Sequence, residues 1–180
     1  MDEGWRYGLY PSRRVFSMPL PIEKEYDVII VGAGISGIGA AYHLQTQCPG
    51  KRIVVLEQRS ALGGTWDFFK YPGLRSDSDM FTFGYSFYPW NRSETLASSD
   101  LILAYLREVV AHFKLDRHIH YDCGVKSAAW DSATNQWTLE TPQGTIKTAF
   151  MFMCSGYYEV PTRVSAGACV VMAKFGMKPR

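Results

Sequence analysis

Apolar and polar positions along the chain change period several times, and each change predicts an element. The run Tyr26–Val31 (YDVIIV) is short, β-branched and nearly continuous in its apolar character, as in a strand buried on both faces. From Ser36 to Gln47 the apolar residues Ile38, Ala41, Tyr42 and Leu44 fall near helical spacing, and Pro49-Gly50 ends that helix. A second buried strand is predicted at Arg52–Glu57 (RIVVLE). Further on, Ser98-Ser99-Asp100 forms a capping cluster for a helix from Leu101 to about Phe113, with Ile102, Tyr105, Leu106, Val109, Val110 and Phe113 as its apolar stripe. From Gly124 the pattern is that of a meander: VKSAAWD, NQWTLET, a turn at Pro142–Gly144, then TIKTAFMFM, whose last five residues should return to a buried parallel sheet.

Between the first strand and helix stands Gly32-Ala33-Gly34-Ile35-Ser36-Gly37. A glycine-rich turn is weak evidence alone, but here a strand precedes it, a helix follows, and an acid closes the next strand. In such a βαβ unit Gly32 permits the tight turn, Gly34 lets backbone approach a pyrophosphate, and Gly37 lets helix and strand pack closely. The helix N-terminus offers free N–H groups to phosphate. Glu57 lies about twenty residues past the last glycine, where a carboxylate accepts from a ribose hydroxyl. The expected fold class is α/β, a Rossmann-like dinucleotide-binding domain with a parallel sheet plus a small β-meander. The turn alone does not choose between FAD and NAD.

The stretch from Gln58 to Trp90 has no sustained period and is rich in aromatics: Trp66, Phe68, Phe69, Tyr71, Phe81, Phe83, Tyr85, Phe87, Tyr88 and Trp90. So many rings should pack on a ligand or another domain, and the alternation of Phe81, Phe83, Tyr85 and Phe87 allows a short half-buried strand. His118 and His120 would share one face of a strand HIHYD, but no carboxylate or cysteine completes a metal site. Cys154, in the small-residue exit Cys154-Ser155-Gly156, reads as a buried filler rather than a nucleophile.

Composition narrows the function classes. With 180 residues the chain holds one domain with a proper core, and 47% hydrophobic and 20% charged residues are those of a globular protein. A net charge of +2 without a basic block does not point to nucleic acid, and no apolar run reaches membrane-spanning length. The four scattered cysteines, without a CxxC pair, fit a reduced cytoplasmic protein. Residues 1–24, punctuated by Pro11, Pro19 and Pro21, read as an arm or leader. The domain is expected over 25–160, and 161–180 as a divergent tail.

Taken together, VIIVGAGISGIGAAYHL, LEQRSALGGTWDFFKYPGLRSDSDMFTFGYSFYPW, GVKSAAWDSATNQWTL and FMFMCSGYY resemble the class B flavin monooxygenases. Within them the chain is similar to the Baeyer–Villiger monooxygenases, and most to the ethionamide-activating type. The resemblance runs from Tyr26 to Tyr158 and implies FAD as cofactor. It implies that Gly32, Gly34, Ser36 and Gly37 hold the FAD pyrophosphate and that Glu57 holds the ribose. By the same resemblance Gly64, Thr65 and Trp66 line the ribityl and flavin parts, the Val125 backbone meets the adenine, and Asp77 is a catalytic acid close to the flavin. The implied reaction uses NADPH and oxygen, through a peroxyflavin, to oxidise a ketone or to oxygenate a thioamide, sulfide or amine. The family fingerprint FxGxxxHxxxW(P/D) and a second glycine-rich unit for NADPH are not found: no histidine follows His120 and no tryptophan follows Trp137. The pattern departs near Val160, so a truncated or frameshifted N-terminal portion is expected. A flavin-holding module served by a separate chain and an inactive fragment remain the alternatives.

Overall fold

The buried strand signals converge on one sheet. In the computed structural model, which describes residues 23–156 and 158, β1 (Glu25–Val31) is flanked by β2 (Ile53–Leu56) and by a long final strand, β6 (Gly144–Met153). The two parallel pairings set Val28–Val31 opposite Ile53–Leu56 on one side and Val28 to Val31 opposite Phe150 to Met153 on the other. A two-residue strand, β3 (Ile119–His120), runs parallel to β2 at the edge. On the far side β6 pairs antiparallel with β5 (Gln136–Thr141), and β5 with β4 (Ser127–Asp131). The sheet order is therefore β3-β2-β1-β6-β5-β4.

The expected meander is thus an extension of the same sheet. β6 serves both halves: its first part, Gly144–Thr148, pairs with β5, and Lys147–Met153 pairs with β1. Left-handed Asn135 (φ 53°) and Gly144 (φ 121°) sit at the two reversals, where turn chemistry places them.

Two helices form one layer. Helix α1 (Ile35–Gln47) turns Gly37, Ile38 and Ala41 inward. Two single-turn helices, α2 (Thr65–Phe68) and α3 (Met80–Phe83), interrupt the irregular stretch before α4 (Ser99–His112), which buries Ile102, Leu103, Tyr105, Leu106, Val109 and Val110. Ser98 occupies the N-cap position of α4 but its side chain makes no capping bond. Alternation along β1 and β2 divides the core: Ile30 and Val55 face the helices, while Ile29, Val54 and Leu56 face Tyr26, Cys123, Leu139 and Ile146.

The aromatic stretch behaves differently from its pattern. Residues 81–87 form no strand: Asp79 accepts from the Thr82 N–H (3.0 Å) and starts α3 instead. Tyr85, Phe87, Tyr88 and Trp90 pack on this domain's own helices. The Phe87 ring stacks on Tyr42 of α1 at 3.6 Å and on Tyr85 at 4.7 Å, and Trp90 meets Tyr105 of α4 edge-on at 5.6 Å. The Tyr105 hydroxyl accepts from the Tyr85 N–H and donates to the Tyr88 carbonyl. Phe68, Tyr71 and Phe81 stay exposed. His118 likewise leaves the expected strand. It ends a 3-10 turn over Leu115–His118, and its Nε2 lies 3.1 Å from Gln45 Oε1 of α1. The expectations for residues 1–22 and 161–180 fall outside the described residues.

Candidate dinucleotide site

The site forms where the parallel strands end. Gly32 adopts φ +103°, and a Cβ there would lie 2.5 Å from the Cys154 carbonyl oxygen, so a side chain is excluded twice. The contact arises because β6 delivers Cys154 beside the turn: the Cys154 N–H donates to Val31 O (2.8 Å), as the Gly32 N–H does to Leu56 O (2.8 Å). At Gly37 a Cβ would come within 1.9 Å of Gly32 O, which is the close helix–strand packing expected of the third glycine. Helix α1 starts from Gly34, and its first internal bond runs from Ile38 N to Gly34 O (3.0 Å). The N–H groups of Ile35, Ser36 and Gly37 precede that bond and have no partner among the described residues. No acidic residue stands there to compete with an anion, and Ser36 is exposed.

Opposite the turn lies the second glycine pair. Gly63 N–H donates to Ala33 O (3.0 Å), and a Cβ on Gly34 would meet Gly64 Cα at 3.5 Å. Gly34 and Gly64 thus face one another without side chains between them. From Gly64 the chain enters α2, carrying Thr65 and Trp66, whose ring meets Phe83 edge-on at 5.8 Å.

Glu57 is buried at the end of β2. One carboxylate oxygen accepts from the Ala33 N–H (2.7 Å) and the other from the Arg59 N–H (2.9 Å). Each oxygen has two lone pairs, so each retains one for a ribose hydroxyl. Tyr121 stands nearby, its phenol pushed up to about 12 by burial and by the Glu57 charge. The segment after β3 runs alongside: Glu57 N–H donates to His120 O, Cys123 N–H to Glu57 O, and Asp122 N–H to Arg59 O. It brings Gly124 against Gln58, where a Cβ would lie 2.9 Å from the Gln58 Cβ, and leaves Val125 half-buried at the rim.

The fold therefore assembles Gly32, Gly34, Ser36, Gly37, Glu57 and Gly64 with Thr65 and Trp66 beyond, and sets Val125 beside the strand end that carries Glu57. Asp77 is exposed, in a loop whose turn is made by Ser76 Oγ with Ser78, and the aspartate that caps a helix nearby is Asp79. Cys154 is half-buried, and burial pushes its thiol up to about 11, which fits a packing residue.

Sequence reasoning passed over Arg59 and Asp67. The Arg59 guanidinium donates through Nη2 to Asp67 Oδ2 (2.7 Å) and to Asp67 O (3.2 Å), and it lies over the Phe68 ring. Burial pushes the Asp67 carboxyl upward, but hydrogen bonds from Arg59 and Lys70 outweigh that and hold it below the usual carboxylate value. Two opposite charges eight apart in an aperiodic stretch carry no sequence signal of pairing. Among the described residues no group of three His, Cys, Asp or Glu side chains is placed to hold a metal ion, and no helix is long and apolar enough to cross a membrane.

Comparison with known proteins agrees with this geometry. Residues 30–93 match the NAD(P)-binding Rossmann-like domain family. The chain is 49% identical over 139 residues to the FAD-containing monooxygenase EthA of Mycobacterium tuberculosis, covering 75% of this chain and 28% of that protein. It is 46% identical over 142 residues to the probable FAD-binding monooxygenase AlmA of an Acinetobacter species, covering 76% and 29%. Among solved structures, a steroid monooxygenase bound to NADP superposes with a TM-score of 0.69 at 38% identity, over 73% of this chain and 26% of that one. A cyclohexanone monooxygenase bound to cyclohexanone superposes with a TM-score of 0.69 at 28% identity, over 77% and 28%. The chain spans little more than a quarter of the length of the relatives it matches. Near-half identity across three quarters of the chain, on a fold shared with solved monooxygenases, makes the chain similar to about a quarter of the length of the FAD-containing monooxygenases.

Proposed function

We propose that residues 25–160 are the FAD-binding portion of a flavin-dependent monooxygenase that draws on NADPH and oxygen to oxidise a small molecule, either a ketone or a compound with a soft sulfur or nitrogen. The observation that carries this reading is the close backbone contact of Gly34 with Gly64, free of side chains, beside the first-turn N–H groups of α1 and the carboxylate of Glu57. A Cβ on Gly64 would press on Gly34 Cα at 3.1 Å and one on Gly34 would meet Gly64 Cα at 3.5 Å, so without side chains the two backbones leave the start of α1 open to a pyrophosphate.

The residues present fit the cofactor. Gly32, Gly34, Ser36 and Gly37 would hold the pyrophosphate through backbone N–H groups and the positive end of α1. Glu57 would accept from the ribose hydroxyls with its remaining lone pairs, and the Val125 backbone would meet the adenine. Gly64, Thr65 and Trp66 would line the ribityl and flavin parts, and Asp77 is assigned the place of the acid near the flavin. When bound, FAD supplies the redox chemistry, taking hydride from NADPH and activating oxygen. What this chain contributes is binding and orientation. Glu57, seated by Ala33 and Arg59 before any ligand arrives, is oriented in advance, which reduces what binding must order. Among the described residues Cys48, Cys123 and Cys154 form no disulfide, which supports a reducing, cytoplasmic setting.

The test is titration of the whole chain with FAD, followed by flavin fluorescence and compared with FMN. FAD should bind and FMN, which lacks the adenosine read by Glu57 and Val125, should bind at least about tenfold more weakly. Equal affinity for the two flavins, or no binding of FAD, refutes the assignment.

A further inference from the structure

We propose that Arg59 is a positioning residue that ties the ribose end of the dinucleotide site to its flavin end. This rests on the FAD-binding reading above. Arg59 belongs by its backbone to the ribose side. Its N–H donates to Glu57 Oε1 (2.9 Å), and its carbonyl accepts from Asp122 N–H (3.1 Å) in the segment leading to Val125. Its side chain belongs to the other side. Nη2 holds both the carboxylate and the carbonyl of Asp67, in the middle of α2, and the guanidinium covers Phe68 at 5.5 Å. Asp67 in turn packs on Gly63, where a Cβ would lie 3.2 Å from the Asp67 Cβ, and its N–H donates to Gly64 O (3.0 Å).

Apart from this tie, α2 is a single turn with no fully buried residue, held otherwise by half-buried Trp66 against Phe83. A helix that short has no persistence unaided, so its orientation depends on what crosses to it. Lys70 also pairs with Asp67 (3.2 Å), but from the same segment three residues on, and with its side chain 68% exposed. It shares the charge of Asp67 without crossing to another element. Arg59 crosses, with its side chain only 31% exposed and Asp67 at 15%. The Arg59 Nε is buried and has no partner among the described residues, so the guanidinium is held at its Nη2 end. A lysine ammonium directed at the same carboxylate should therefore preserve much of the tie.

Arg59→Ala keeps both backbone contacts and removes only the crossing. FAD and ADP are titrated against the wild-type chain and against Arg59→Ala, Arg59→Lys and Lys70→Ala. ADP presents only the adenosine and two phosphates. Arg59→Ala should weaken FAD about tenfold and ADP by less than about twofold. Arg59→Lys should recover most of the FAD affinity, and Lys70→Ala should behave as wild type. The proposal is overturned if Arg59→Ala weakens both ligands alike or neither, or if Lys70→Ala matches it. Should the wild-type chain bind neither ligand, the FAD reading fails, and hydrogen exchange decides this inference alone. The amides of Trp66, Asp67, Phe68 and Phe69 should then exchange faster in Arg59→Ala and not in Lys70→Ala. Unchanged exchange at those four amides overturns it.

Discussion

Replacing Gly34 by alanine should separate folding from cofactor binding. Gly34 sits at φ −78° and ψ −173°, extended backbone open to any residue. The added Cβ would meet Gly64 Cα at 3.5 Å and Gly64 N at 3.9 Å, both ordinary contacts. Nothing in the protein has to move. Restricting the unfolded chain at this position stabilises the fold by roughly 0.4–1 kcal/mol. For a chain of this size that is a rise of about 1–4 °C in midpoint temperature. The same methyl would stand at the start of α1, beside the first-turn N–H groups that a pyrophosphate would approach. A hydrogen bond to a charged group is worth about 1.5–3 kcal/mol, and losing two weakens FAD by at least about a hundredfold. Gly37→Ala is the contrast. Its Cβ would lie 1.9 Å from Gly32 O, so helix and strand must separate, at a cost of about 1–3 kcal/mol or more. Thermal unfolding followed by circular dichroism, without cofactor, and FAD titration by flavin fluorescence measure the two effects. A Gly34→Ala chain that melts as low as Gly37→Ala, or that binds FAD within threefold of wild type, refutes the reasoning.

Three further outcomes follow from the same contacts. Glu57→Ala strands the Ala33 and Arg59 N–H groups and should cost about 1–3 kcal/mol in urea denaturation without cofactor, whereas Glu57→Gln, whose amide oxygen replaces one acceptor, should cost less. Burial lowers the His120 value below its ordinary 6.5, and burial followed by the Arg117 charge lowers that of His118. Their neutral forms are favoured in the fold, so the stability they allow is present above about pH 6.5 and lost as pH falls below it; the urea midpoint should drop between pH 7.5 and 5.5, and His120→Leu should flatten the slope. A midpoint that rises on acidification contradicts this. Under native conditions at pH 8, iodoacetamide followed by peptide mass mapping should modify exposed Cys48 well before buried Cys123 or half-buried Cys154, and rapid labelling of Cys154 would overturn its reading as a packing residue.

What the sequence determined by itself is what depends on near neighbours along the chain. The β-branched runs at β1 and β2, the helical stripe of α4 and the spacing of Gly32, Gly34, Gly37 and Glu57 are local patterns, and the structure keeps them with one- or two-residue shifts in their bounds. The roles of Gly32 and Gly37 were legible for the same reason: a turn and a helix start permit few backbone paths. The tertiary structure decided everything that hangs on which distant groups meet. Alternation of Phe81, Phe83, Tyr85 and Phe87 signals a strand locally, yet Asp79 caps a helical turn there, and the apolar faces of α1 and α4 offer Phe83, Tyr85 and Phe87 more buried contact than a strand without a partner would, while Phe81 stays exposed. Burial decides here, because it scales with the area removed from water and not with sequence order. The return of Ala149–Met153 to the parallel sheet was legible in its continuous apolar run, but that the same strand also pairs antiparallel with β5 over Gly144–Thr148, joining both halves in one sheet, is decided by the register. Glu57 was legible as the acid that closes β2 but not as the clamp on Ala33 and Arg59, and the Arg59–Asp67 pair was not legible at all. Charge pairs in aperiodic chain depend on a geometry that the surrounding core imposes, and that geometry exists only once the strands, the glycine turn and α4 have packed together.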